Sequence, residues 1–440
     1  MKQFFYEYLP AWLLLAVLGL IVLHAPLTVW LGTVVPDYSL AIKAWKEVLI
    51  TLAILLVAAG LWLSGKWRAF VNQPLVVLAL VYIALHIFML GIYPQPFSNT
   101  VAGLLIDLRY VAYFAVVLGF LTLYPKYKGA FMRIGVAGAV IVVGFAVLQM
   151  FMPKYALEAI GYGDSTIQPY LTVDKNPDFV RHNSTLRGPN PLGAYAGMVI
   201  AGVLAYWLAA RKKLIGWKSY LLLIILFVAA SAALWISYSR SAAIGVLVAA
   251  ILVFAAKYGF TMSRRTWHIA AAVVVMAFGA LYLARDTAFV HNVILHDNPT
   301  TGAEVTSNAA HVESFAYGFD RMMEQPLGAG IGSTGSASII NNSEGLIIEN
   351  QYFMIAHEVG WLGLVLFLVL YGALLKQLWV RRSSWLATTV FASGVGLAVI
   401  GLLLPVWADD TVSIVWWGLA AVSLCYKQHT LTRDARKYKI

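Results

Sequence analysis

The sequence predicts an all-α polytopic membrane protein, and three observations carry that prediction. Of its 440 residues, 61% are hydrophobic and 12% are charged, against about 25% charged in a soluble domain. The mean hydropathy is +0.78. Apolar runs of the ~20 residues that a helix needs to cross a bilayer recur along the whole chain. A single membrane domain over 1–440 follows, and not a string of soluble ones.

Twelve spans are expected, roughly at 11–31, 45–63, 74–93, 106–124, 130–151, 191–210, 219–236, 241–257, 267–284, 351–376, 384–404 and 411–425. The first run has no small-residue cleavage site and is long enough to span, so it reads as a helix and not as a signal that is removed. Basic residues then set the orientation. Lys66 and Arg68, Lys126 and Lys128, Arg211 to Lys213, Lys257 with Arg264 and Arg265, and Lys376 with Arg381 and Arg382 fall on alternate connections. With twelve spans they share one face with the basic tail, so both termini are expected in the cytoplasm. The same bias accounts for the net charge of +11 without nucleic acid as a partner. The one cysteine, Cys425, leaves no pair for an internal disulfide or a cysteine metal cluster.

The opposite face holds the irregular segments. Loops 152–190 and 285–350 are rich in Asn, Asp, Gly and Pro with aromatics between them. They read as a folded, largely helical cap, since such residues build defined turns. A third connection, Ser237 to Ser241 (SYSRS), is very short and sets Arg240 at or just below the membrane boundary. A charge at that depth faces a cavity or a partner. Snorkelling to the headgroups and binding of phosphate by the planar guanidinium both fit it.

Ahead of the sixth span, RHNSTLRGPNPLGAY places Arg181 and Arg187 on the cap side, against the positive-inside bias, which points to an anionic ligand or to a loop ion pair with Asp174 or Asp178. Pro189, Asn190 and Pro191 fix the entry into the span, and Gly188 and Gly193 permit close backbone approach. In the second loop His311, Phe315, Phe319 and Met322 share one helical face, so a helix lying on the membrane surface is expected there. Glu349 precedes the tenth span, with Phe353 and His357 on its face at i+4 and i+8. A carboxylate there suits the helix N-terminus, and partial burial would bring it into the range of a general base. His357 and Glu358 read as a buried polar tie between helices. Asp409 and Asp410 either hold arginines or face water. The glycine-rich GAGIGSTG follows no strand of a βαβ unit, so it reads as a structural reversal and not as a nucleotide loop.

Four motifs in this order, RHNSTLRGPNPLGAY (181–195), SRSAAIG (239–245), HVESFAYGFDRMMEQPLGAGIG (311–332) and ENQYFMIAHEVGWLG (349–363), resemble the O-antigen ligase and O-antigen polymerase family of bacterial membrane glycosyltransferases. The resemblance covers about 100–425. It implies a GT-C-like fold in the bacterial cytoplasmic membrane with the active site under the cap, facing the periplasm or exterior. It implies transfer from an undecaprenyl-diphosphate-linked glycan to a glycan or lipid-glycan acceptor hydroxyl, inverting, with no metal and no cofactor. Arg240 matches the family's membrane-boundary arginine, and Arg181 the arginine ahead of the Pro-Asn turn. Many ligases have histidine at the position of Glu349 and arginine at that of His311, so this chain looks more like the polymerase-type branch. Glu349 and His311 are then the expected catalytic pair and Arg240, Arg181 and Arg187 the diphosphate ligands, with Asn190, Tyr352 and His357 in support. The rival class is a transporter or flippase of a lipid-linked or anionic substrate; the lack of an internal repeat and the one-sided cap weigh against it.

Overall fold

The computed structural model describes residues 3–173, 175–210, 217–259, 276, 279, 282–287, 290–295, 307–340 and 345–425. Among these, nine helices are long and apolar enough to cross a membrane: α1 (Phe4–Val34), α2 (Trp45–Leu63), α3 (Pro74–Ile92), α4 (Phe97–Leu123), α5 (Pro125–Gln149), α6 (Pro189–Ala210), α7 (Trp217–Ser237), α8 (Arg240–Tyr258) and, following the cap helix α9 (Ser307–Glu324), α10 (Gln351–Val380). Two shorter apolar helices close the chain, α11 (Trp385–Ile400) and α12 (Asp410–Leu424). The chain is an all-α polytopic membrane protein. The span expected at 267–284 falls mostly outside the described residues, as do Arg211 to Lys213, Arg264, Arg265 and the basic tail.

The other expected spans fall on these helices with ends that differ by several residues, and the fourth differs most. The fourth begins at Phe97, well before the expected 106, because Pro96 caps it and its polar residues do not interrupt it. Asn99, Asp107 and Arg109 turn inward and are buried, so the helix keeps its polar groups among protein partners and away from lipid.

The centre of the bundle is aromatic. Trp407, Trp416, Trp417, Tyr110 and Tyr371 are all buried, with ring centroids between 5.2 and 6.1 Å apart for successive neighbours. Elsewhere small residues bring backbones together: a methyl on Gly245 of α8 would stand 2.8 Å from the Gly396 carbonyl of α11, the close approach that membrane helix pairs favour. Large apolar side chains such as Trp62, Leu222 and Leu247 remain exposed, where a bilayer covers them.

The first cap loop departs from the helical expectation. It contains an antiparallel hairpin of β1 (Leu171–Val173) and β2 (Asn176–Arg181), with Leu171 opposite Arg181 and Thr172 opposite Val180. Lys175 turns the hairpin at φ 60°. The second loop supplies α9, on the face that its apolar spacing indicates.

Helix α10 is broken at Gly360 (φ 70°), and the glycine-rich turn repairs the break. Ala329 and Gly330 donate their N–H groups to the carbonyls of His357 and Glu358 at 2.6 and 3.1 Å, and Trp361 N–H donates to Pro326 O at 2.9 Å. The Glu358 carboxylate accepts from the N–H groups of Gly332 (3.1 Å) and Thr334 (3.4 Å). Backbone groups freed in a membrane helix must be satisfied within the protein. Gly330 and Gly332 are positive in φ and so close to Tyr93 O and Asn99 O that any side chain would collide. The turn is structural.

Candidate active site at the cap ends of the helices

Arg181, the last residue of β2, is held by two elements. Its Nε donates to Ser237 O at the end of α7 (2.9 Å), and Nη2 donates to the Asn190 side-chain carbonyl at the start of α6 (2.6 Å). The Ser239 hydroxyl accepts from Ala242 N–H and caps α8, which makes Arg240 the first residue of that helix. Arg240 Nη1 donates to Ile294 O at 3.2 Å. Asn176 of the hairpin donates to the side chain of Asn292 in the same segment at 3.0 Å, so both loops close over the Ser237–Arg240 turn. Gly193 makes room for this: a Cβ there would stand 2.8 Å from Ala242 Cβ and Ser237 Oγ. Gly188 meets only Pro191 Cδ at 3.8 Å and permits no comparable approach.

Arg187 goes elsewhere. Its Nη1 lies 4.0 Å from Asp410, the buried first residue of α12. Asp410 also pairs with Arg109 of α4, with His24 of α1 (2.9 Å) and with Lys46 of α2 (3.3 Å). Of the two outcomes open for the acidic pair, Asp410 takes the first, holding arginines, while Asp409 caps α12 by accepting from Val412 N–H at 2.9 Å. A carboxylate taken out of water costs several kcal/mol unless it is well paired, and here helices that are remote in sequence supply the pairing.

His311 Nδ1 and Glu349 Oε2 stand 2.9 Å apart, with side chains 34% and 41% exposed. Helix α9 brings the histidine there because Phe315 and Phe319 pack on Phe353, with centroids 5.0 and 6.1 Å away. Glu349 N–H donates to Ser314 Oγ at 3.2 Å. Asn350 caps α10, accepting from the N–H groups of Tyr352 (2.9 Å) and Phe353 (3.1 Å), and donates to Leu402 O at 2.7 Å. Tyr352 donates its hydroxyl to Ala398 O at 2.8 Å. The mouth of α10 is thus fixed against the end of α11. His357 is buried about 9 Å along the helix axis from its start at Gln351, and it serves the glycine turn through its carbonyl. The polar tie expected of His357 and Glu358 is made by Glu358, whose carboxylate bonds to the turn.

The structure therefore brings together Arg181, Asn190 and Arg240 in one group, His311 and Glu349 in a second, and Arg187 with Asp410 in a third. All lie at the cap ends of the helices. Gln351 N–H donates to Gly401 O (2.9 Å), and its side chain accepts from Trp407 N–H (2.8 Å), tying the second group to the α11–α12 connection. Helix α8 borders the same stretch through Gly245 and Ile400. Chemically the assembly offers fixed guanidiniums for an anion and a carboxylate backed by an imidazole for a proton. Below Asn190, an apolar groove of about 360 Å³ lies between α5, α6, α7, α11 and α12, lined by Tyr195, Met198, Leu386, Trp416 and Leu419 among others.

Reading the sequence missed His24, Lys46 and Arg109. The signal for Arg109 was present, since an Asp and an Arg inside the apolar run LLIDLRYVAY are intramembrane charges. Nothing local marks Lys46 or His24.

A comparison with curated proteins finds no match. Residues 225–368 match the family model described as O-antigen ligase, a segment that runs from α7 into α10 and includes Arg240, His311, Glu349 and His357. The matched segment holds three of the four motifs, SRSAAIG, HVESFAYGFDRMMEQPLGAGIG and ENQYFMIAHEVGWLG, and so supports the resemblance to the O-antigen ligase and polymerase family.

Proposed function

We propose that this protein is a membrane glycosyltransferase of GT-C-like architecture with twelve spans, acting at the extracytoplasmic side of the bacterial cytoplasmic membrane. It takes a glycan from an undecaprenyl-diphosphate-linked donor and passes it to an acceptor hydroxyl. Glu349 removes the acceptor proton with His311 orienting it. The acceptor oxygen bonds to the anomeric carbon as the carbon–oxygen bond to the diphosphate breaks, inverting that centre. Undecaprenyl diphosphate leaves with its negative charge compensated by Arg240 and Arg181, a type of stabilisation worth about 3–4 kcal/mol per contact. The isoprenoid tail lies along the apolar groove below Asn190.

The observation that carries this reading is the 2.9 Å contact of His311 with Glu349. It joins a cap helix to the mouth of a span, which supports Glu349 as the proton acceptor. The test is transfer by the purified protein in proteoliposomes with a lipid-linked repeat unit, followed by sizing of the product. A ladder identifies a polymerase, and a single transfer to another acceptor identifies a ligase. Uptake of the donor without any glycan product would refute the reading.

A further inference from the structure

We propose that Tyr238 is a specificity-determining contact, its ring taking the face of the sugar that is joined to the donor diphosphate. The inference rests on the proposed glycosyl transfer and adds to it a residue that reads the sugar.

Tyr238 sits in the two-residue turn between α7 and α8 at φ 47°, a left-handed conformation that glycine adopts freely and a bulky side chain does not. Helix ends commonly use a left-handed residue, and glycine is the usual choice. A turn alone explains the conformation but not the tyrosine. Backbone strain in a bulky residue that persists among functional groups is a reason to ask what its side chain contacts.

Its surroundings answer that question. The preceding carbonyl, Ser237 O, accepts from Arg181, the following residue caps α8, and Arg240 comes next. The ring therefore projects from between the carbonyl that anchors Arg181 and the start of the helix that carries Arg240. It is half-buried and has two aromatic neighbours, Phe179 at 6.2 Å and 85°, and Trp235 at 6.4 Å. Phe179 and Arg181 lie two apart on strand β2, so they share a face of the hairpin. Cations and an aromatic surface on one face match a ligand with an anionic end and an adjoining ring of C–H groups. A glycosyl diphosphate has that form. The isoprenoid lies on the other side of the diphosphate, away from the hairpin.

The test compares two ligands, the lipid-linked glycan and bare undecaprenyl diphosphate. Binding is read as the ligand-induced rise in thermal midpoint of the full-length protein in detergent. The wild-type protein should bind the glycosylated carrier more tightly, by about two- to tenfold for an aromatic contact. Tyr238→Ala and Tyr238→Gly should bind the two ligands alike, and Tyr238→Phe should keep the preference. Without ligand, Tyr238→Gly should melt no lower than wild type, because glycine relieves the left-handed backbone. If Tyr238→Ala weakens both ligands equally, the ring holds the carrier and the sugar assignment is wrong. If Tyr238→Ala changes neither, the residue only makes the turn. Arg240→Ala separates the two levels: unchanged binding of both ligands there would sink the proposed function itself, whatever Tyr238 does.

Discussion

The Nδ1 atom of His311 and a carboxylate oxygen of Glu349 are 2.9 Å apart, across a helix of the cap and the start of a membrane span. A carboxylate only accepts hydrogen bonds, so Nδ1 carries the proton of this contact and the other carboxylate oxygen is available to an acceptor hydroxyl. Glu349→Gln keeps the shape and removes the basicity. It should lower kcat by about 10²–10⁴-fold with donor binding retained. His311→Asn should lower kcat less. Steady-state transfer in proteoliposomes checks both, and wild-type kcat in Glu349→Gln would dismiss it as the base.

Arg181 binds two acceptors through two nitrogens of one planar guanidinium, a geometry that the compact ammonium of lysine does not reproduce. Arg181→Lys should therefore behave as a loss, and not as a conservative change. Arg240→Ala should slow transfer by about 10²–10³-fold, while Asn190→Ala, which frees one arm of Arg181, should cost less. The comparison is of kcat/KM for the lipid-linked donor.

Asp410 has a structural task. Asp410→Asn leaves the buried Arg109 without its carboxylate and Lys46 with Glu47 alone; breaking a buried pair from one side costs about 3–5 kcal/mol. Asp409→Ala removes a helix cap and costs about 1 kcal/mol. Thermal unfolding in detergent should show a far larger fall for Asp410→Asn than for Asp409→Ala. Equal falls would contradict the hub.

Gly330→Ala should block the repair of α10, since a side chain there meets Tyr93 O and the backbone is left-handed (φ 101°). The folded yield after membrane extraction should drop sharply. Gly144→Ala, with no heavy atom within 4 Å of the added methyl, is the control and should express as wild type.

Much of the site was legible before any coordinates. Arg240 declared itself by a charge in a very short connection, and His311 by its place on an amphipathic helix. Glu349 stood out as the acid at the mouth of a long apolar run. Each is a local signal, carried by spacing along one element. The hairpin at 171–181 was not legible: its strands are short, and Val173 pairs irregularly with Asn176, so alternation never runs long enough to be read. The destination of Arg187 was equally hidden, because its partner lies more than two hundred residues away in sequence.

By itself the sequence determined the membrane class and the order of the helices, because a bilayer admits only long apolar helices with internally bonded backbones and that demand is written residue by residue. It also set Arg240, His311 and Glu349 beside apolar runs, where charges collect at the ends of the spans. Tertiary structure alone decided the partners. Asp410 collects His24, Lys46, Arg109 and Arg187 from four separate segments, and the glycine turn finds the break at Gly360. Buried polar groups must be paired wherever the fold can supply a partner, and which partner arrives depends on how the helices pack.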